Sequence, residues 1–167
     1  MYKYLPDYIS NGIFDIDYKK LYDAGIRGLC FDIDNTLIEM HSDNLKEDVI
    51  YLMESLKQQG FKISILSNST QKRTAMISDI LGIKFVHRAF KPSGKGFTKV
   101  LDIMGLEAEE CAMIGDQLFT DIKGGKKAGF LTIMTSIIDP KESAYVRFKR
   151  IFERMVMEKY KGELKTI

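Results

Sequence analysis

The chain has 167 residues, 45% of them hydrophobic and 29% charged, which suits one folded domain, 1–167, with a sizeable core. A net charge of +2 is too small to imply a nucleic-acid partner, and none is expected. No apolar run approaches the roughly 20 residues that span a bilayer, and Met1–Asp7 lacks the apolar core of a signal peptide, so a cytoplasmic protein is expected.

In chain order, residues 1–25 read as an irregular aromatic arm, Tyr2–Tyr22, overlapping a short helix around Tyr18–Ala24. Arg27–Ile33 reads as a buried strand. Leu45–Gln59 is a helix with Val49, Leu52, Met53 and Leu56 on one face and Gly60 as its stop. A strand follows at Phe61–Leu66, then a helix at Thr70–Leu81 closed by Gly82, and a short strand at Ile83–Val86. Gly94–Met104 is a helix, Cys111–Ile114 a strand, Phe119–Ala128 a helix ending at Gly129, and Phe130–Met134 the last strand of a core covering 26–136. Residues 137–167 hold one more helix, at 141–161. This alternation indicates an α/β fold with a mainly parallel sheet covered on both faces. Such sheets bind ligands beyond the carboxyl ends of their strands. The two cysteines, Cys30 and Cys111, flank apolar runs and read as buried reduced thiols; with two separated histidines they offer no zinc spacing.

Polar clusters follow four of these strands. Asp32-Ile33-Asp34-Asn35-Thr36 places two carboxylates at i and i+2, on the same side of a strand. Two close carboxylates repel unless a cation or a shared proton intervenes, and an oxygen-ligated Mg²⁺ suits them. Ser67-Asn68-Ser69, Lys91-Pro92 and Gly115-Asp116…Asp121 occupy equivalent strand ends. Each alone also reads as a cap, a solvated charge or a turn; in this order they point to one site.

The ordered set resembles the haloacid dehalogenase (HAD) superfamily of phosphotransferases over roughly Gly28–Thr135. Asn35 resembles subfamily IIIA. Leu5-Pro6-Asp7, Lys72-Arg73 and Arg88–Lys95 resemble the YqeG-like bacterial proteins related to mitochondrial phosphatidylglycerophosphatase. The resemblance implies a Rossmannoid three-layer α/β/α fold, a Mg²⁺ cofactor and a phosphate-ester substrate. It implies that Asp32 is the nucleophile, forming an aspartyl phosphate. Asp34 is the acid that protonates the leaving oxygen and the base that then activates water, which calls for a raised pKa. Asp32, Asp116 and the Asp34 carbonyl hold the metal, with Asp121 and Thr36 behind them. Ser67, the Asn68 backbone and Lys91 bind the phosphoryl group. The intervals Thr36–Ser67 and Ser69–Lys91 leave no room for a cap domain, so an open site is expected, suited to a large or membrane-bound substrate or covered by an oligomer partner.

The subgroup points to phosphatidylglycerophosphate. A soluble nucleotide or sugar phosphatase and a catalytically quiet binding module are the alternatives. Arg88 and Lys95 read either as a substrate rim for a second phosphate or as solvated charges. From Lys141 onward eight Lys/Arg face four Glu. The segment there mixes Lys141, Arg147, Lys149, Arg150, Arg154 and Lys159 with Tyr145, Phe148, Ile151, Phe152, Met155 and Val156, and has two readings: its apolar face packs on the sheet, or it lies on anionic lipid as a peripheral membrane contact.

Overall fold

The computed structural model describes residues 3–40 and 42–167. Its centre is a six-stranded, all-parallel sheet of β1 (Tyr8–Ser10), β2 (Gly28–Phe31), β3 (Lys62–Leu66), β4 (Lys84–Val86), β5 (Cys111–Gly115) and β6 (Leu131–Thr135). The spatial order is β1-β6-β5-β2-β3-β4. From β2 the chain runs outward through β3 and β4, then returns to place β5 on the other side of β2. The order therefore reverses between β2 and β5, where a cleft opens beyond the carboxyl ends.

Alternation along each strand sends side chains to two cores. Leu29 and Phe31 of β2 pack with Ile63 and Ile65 against α1 (Tyr18–Asp23), α2 (Glu47–Gln58) and α3 (Gln71–Leu81). Cys30, Leu66 and Met113 face α4 (Gly94–Met104) through Phe97, Val100 and Met104. Val49, Met53 and Leu56 are the buried stripe of α2, at helical spacing. Both cysteines are free and buried. Among the described residues no cap domain interrupts the core: a loop and α2 join β2 to β3, and α3 alone joins β3 to β4.

Two expectations are corrected. The N-terminal arm is not irregular throughout, because Tyr8–Ser10 forms an edge strand parallel to β6. Asp7 secures it, its Oδ2 accepting from Thr132 N at 2.8 Å and Thr132 Oγ1 at 2.9 Å. Tyr2, also placed in that arm, lies outside the described residues. The expected helix at Phe119–Ala128 divides into a π-helical turn, Leu118–Ile122, and a short α5, Lys123–Ala128.

The last helix, α6 (Ala144–Lys159), does not pack its apolar face on the sheet. Tyr145, Phe148, Ile151, Phe152 and Met155 are all exposed, and its buried residues are Arg150 and Glu153. Among the described residues no helix is long and apolar enough to cross a membrane.

Candidate active site

The site lies at the β2–β5 reversal. Asp32 follows β2 directly, its N–H still bonded to Ile114 O of β5 at 3.0 Å, so the sheet ladder fixes its backbone. The chain then turns sharply through Asn35, whose φ of 60° is left-handed, a conformation that asparagine and glycine tolerate. On the β3 side, Ser67 N donates to Val86 O at 3.0 Å and Ala89 N donates to Ser67 O at 3.0 Å. The Asn68 side chain clamps the main chain of Lys91, accepting from its N–H at 2.8 Å and donating to its carbonyl at 3.3 Å. Arg88 and Phe90 both take positive φ, 43° and 51°, so the loop delivering Lys91 stores backbone strain.

Lys91 is buried at the centre. Its ammonium donates to Asp32 Oδ1 and to Leu66 O, both at 2.7 Å, and lies 2.6 Å from Asp121 Oδ1. Burial alone would lower its pKa; the neighbouring Asp121 and Asp32 outweigh it and raise the pKa, keeping the cation charged. Asp121 is brought in by the π-helical turn, with Gln117 N donating to its Oδ2 at 3.0 Å. The close approach requires glycine at 115, because a Cβ there would lie 2.6 Å from the Asp121 carboxylate.

Asp32, Asp116 and Asp121 each present an oxygen within 4.8 Å of the others. Burial pushes the Asp32 carboxyl up to about 8, partly offset by Lys91. Burial and the Asp121 charge push Asp116 to about 7, with Arg150 opposing. Adjacent carboxylates of Glu142 and Glu153 share the remaining cation, Arg150, so the site has more buried carboxylates than buried cations. Asp121 Oδ1 has no aligned hydrogen-bond donor despite the ion pair with Lys91. An all-oxygen donor set with excess negative charge and an unsatisfied buried oxygen fits a hard divalent cation such as Mg²⁺.

The remaining candidates divide. Thr36 is buried, its hydroxyl donating to Asp116 Oδ1 at 3.5 Å. Ser67 is buried and Asn68 exposed. The Asp34 side chain stands apart from the three-carboxylate cluster and accepts from Arg73 Nη2 at 2.7 Å. Arg88 and Lys95 are exposed and form no ion pair among the described residues. Asp121, expected behind the ligands, stands among the clustered carboxylates.

Sequence reasoning missed the role of Arg150, which read as one more base on a solvated or lipid-facing helix surface. It is buried, bonded to Asp116 Oδ2 and donating to Asp116 O at 2.6 Å, with Glu142 at 2.7 Å and Glu153 at 2.9 Å. The available signal was that Glu142 and Glu153 fall on the same helical side as Arg150. Lys149 likewise turns inward, to Gln117 Oε1 at 2.8 Å, leaving Arg147 and Arg154 exposed. The expected open site is thus closed by α6 on its Asp116 side.

A three-layer parallel fold with carboxylates, a buried lysine and a serine at its reversal point defines a hydrolase class. Residues 39–129 match the model of the haloacid dehalogenase-like hydrolases. The chain belongs to that family, and it is an enzyme of the phosphatase type. It is 37% identical over 163 residues to the probable phosphatase YqeG of Bacillus subtilis, covering 96% of this chain and 95% of that one. It is 32% identical to the chloroplastic/mitochondrial phosphatidylglycerophosphate phosphatase 1 of Arabidopsis thaliana, over 85% of this chain but only 43% of that protein. The fold is shared with a putative HAD superfamily (subfamily III A) hydrolase from Legionella pneumophila, at TM-score 0.56 and 19% identity over 73% of this chain and 72% of that one.

Proposed function

We propose that the protein is a Mg²⁺-dependent phosphomonoester hydrolase in which Asp32 is the nucleophile. The observation that carries this reading is the buried Asp32 carboxylate, with Lys91 Nζ at 2.7 Å and the Asp116 and Asp121 carboxylates beside it. Asp32, Asp116 and the backbone carbonyl of Asp34 would hold Mg²⁺, with Asp121 adjoining. When bound, the ion supplies charge neutralisation that lets a phosphate ester approach a carboxylate.

Lys91 engages Asp32 Oδ1, so Oδ2 is the attacking oxygen. Its lone pair forms a bond to phosphorus as the ester O–P bond breaks, giving an aspartyl phosphate and an alkoxide. Asp34, released from Arg73, is the acid that gives a proton to that alkoxide. Asp34 then takes a proton from water, whose oxygen attacks phosphorus and releases phosphate and the Asp32 carboxylate. The Ser67 hydroxyl and the Asn68 backbone N–H bind non-bridging oxygens, while Lys91 stabilises the charge that develops on them.

The substrate class is a phosphomonoester on an anionic phospholipid, such as phosphatidylglycerophosphate. Two observations support it: the named function of the Arabidopsis relative, and the placement of exposed apolar residues. Phe14, Phe90, Ile138 and the outer face of α6 are exposed and all follow carboxyl ends of strands, the end of the sheet that carries the site. Arg147 and Arg154 flank the α6 stripe, giving an apolar face with basic edges that suits an anionic bilayer. The whole chain acts as one unit: 26–136 carries the reacting groups and 137–167 meets the membrane.

Asp32→Asn should retain the fold by circular dichroism and lose at least ~10³-fold in kcat; an active variant would remove the nucleophile. EDTA should stop turnover and Mg²⁺ restore it, with Ca²⁺ substituting poorly because its coordination is larger and looser. A lipid phosphate in detergent micelles should be hydrolysed faster than nucleotide or sugar phosphates. The reverse order removes the lipid reading and leaves the reaction class standing.

A further inference from the structure

Helix α6 contributes no buried apolar side chain; its buried residues are Arg150 and Glu153. With Val146, Val156 and Met157 only half-buried, what fixes this helix over the site is chiefly charge and hydrogen bonding, centred on Arg150. We infer that Arg150 is a positioning residue that holds Asp116 in its metal-binding orientation. The inference rests on the reading of Asp116 as a Mg²⁺ ligand.

A carboxylate that serves a metal must keep an oxygen available while its rotation is stopped by a neighbour. Arg150 meets both conditions. Nη1 donates to the Asp116 main-chain carbonyl at 2.6 Å and Nη2 donates to Oδ2, so one planar fork pins the backbone and the side chain of the same residue. Oδ1 is left with the Thr36 hydroxyl at 3.5 Å. The fork is itself fixed. Glu142 Oε1 accepts from Nη2 at 2.7 Å, and Glu153 Oε2 accepts from Nη1 at 2.9 Å.

Both glutamates also reach the loops of the site. Asn35 Nδ2 donates to Glu142 Oε1 at 3.1 Å, linking the fork to the turn after Asp34. Phe119 N donates to Glu153 Oε1 at 3.1 Å, linking it to the π-helical turn that carries Asp121. A guanidinium on a metal ligand has two opposite possible effects: it competes with the ion, or it prepares the ligand. The geometry selects the second. With Arg150 in place, Asp32, Asp116 and Asp121 still offer oxygens within 4.8 Å of one another, and the oxygen Arg150 occupies is only one of the two on Asp116.

The test is Mg²⁺ binding by isothermal titration calorimetry, without substrate, on the full-length chain and its variants. Arg150→Gln should weaken Mg²⁺ binding ~10- to 100-fold, the range for partners of metal ligands. Arg150→Lys should recover part of it, because an ammonium cannot reproduce the two-pronged grip. Glu142→Gln, which touches the fork and not Asp116, should give a smaller loss in the same direction. Circular dichroism checks folding, and if Arg150→Gln does not fold, the lysine and Glu142 variants carry the decision. Unchanged or tighter Mg²⁺ binding in the folded variants overturns the role of Arg150; if Asp116→Asn has meanwhile lost binding, the metal assignment stands. Wild-type affinity in Asp116→Asn, or no Mg²⁺ binding by the wild type, overturns both.

Discussion

Helices α4 and α6 each flank the sheet, yet they are attached by opposite means. α4 turns Phe97, Val100 and Met104 inward, all buried, with Phe97 edge-on to Phe130 at 5.4 Å between ring centroids. α6 turns Arg150 and Glu153 inward and leaves Phe148 and Phe152 exposed, stacked edge-on against each other at 5.2 Å. The first helix is held by the hydrophobic effect, which is non-directional. The second is held chiefly by directional bonds to groups of the candidate site, and most of its apolar surface remains exposed. Packing in α4 serves the fold, whereas packing in α6 ties an outer surface to the carboxylate cluster.

That difference breaks down or sharpens under mutation. Phe97→Ala should be the most damaging change, about 3–5 kcal/mol of stability lost to a core cavity, measured by urea unfolding. A loss below ~1 kcal/mol would mean α4 is not the core element described here. Next comes pH. The ordinary carboxylate value is 3.8, while burial raises Asp32 to about 8 and Asp116 to about 7 in the metal-free protein. Between those limits the native state binds more protons than the unfolded chain, so stability contributed by these groups is present below about pH 4 and is lost as pH rises toward 8. The metal-free melting temperature should therefore fall from pH 5 to pH 8, and Mg²⁺ should recover it at pH 8. A flat profile would contradict the buried-carboxylate account.

Smaller effects belong to the outer face of α6. Replacing Arg147 and Arg154 with Gln should weaken co-sedimentation with phosphatidylglycerol vesicles by about 1 kcal/mol per residue at low salt. Hydrolysis of a soluble aryl phosphate should stay unchanged. Salt should erase the difference as the Debye length shrinks. Phe152→Ala should shift stability by no more than ~0.5 kcal/mol while reducing vesicle binding. A large destabilisation would show that Phe152 is packed, and would align α6 with α4 after all.

Most of the core was legible from sequence because parallel strands buried on both faces read as short apolar runs, and glycines mark the helix ends at Gly60, Gly82 and Gly129, each with positive φ. The strand-end residues Asp32, Ser67, Lys91 and Asp116 were legible for the same reason: each directly follows a recognisable run or a short loop. β1 was not, because Tyr8–Ser10 is three residues long and carries no periodicity. The orientation of α6 was beyond reach on other grounds. Amphipathic spacing shows that a helix has two faces, but it does not say which face is inside. Arg150 was misread because arginine on a polar face is ordinarily solvated, and only the buried acids across the fold reveal its task. Arg73 was quoted as part of a motif, but its bond to Asp34 depends on a loop and a helix meeting in space.

The end of the chain adds a mechanical consequence. Ile9 N donates to Lys165 O at 2.7 Å and Ile167 N donates to Ile9 O at 3.4 Å, so the segment after α6 is stitched to the outer edge of β1. Helix α6 is thereby anchored on both sides, by β6 before it and by this stitch after it. If the Arg150 fork lets go, the helix tilts like a handle fixed at two points instead of swinging free as an arm. Recapture is then an intramolecular event at high effective concentration, fast and independent of protein dilution. Only cutting the stitch and breaking the fork together would release the helix from the sheet.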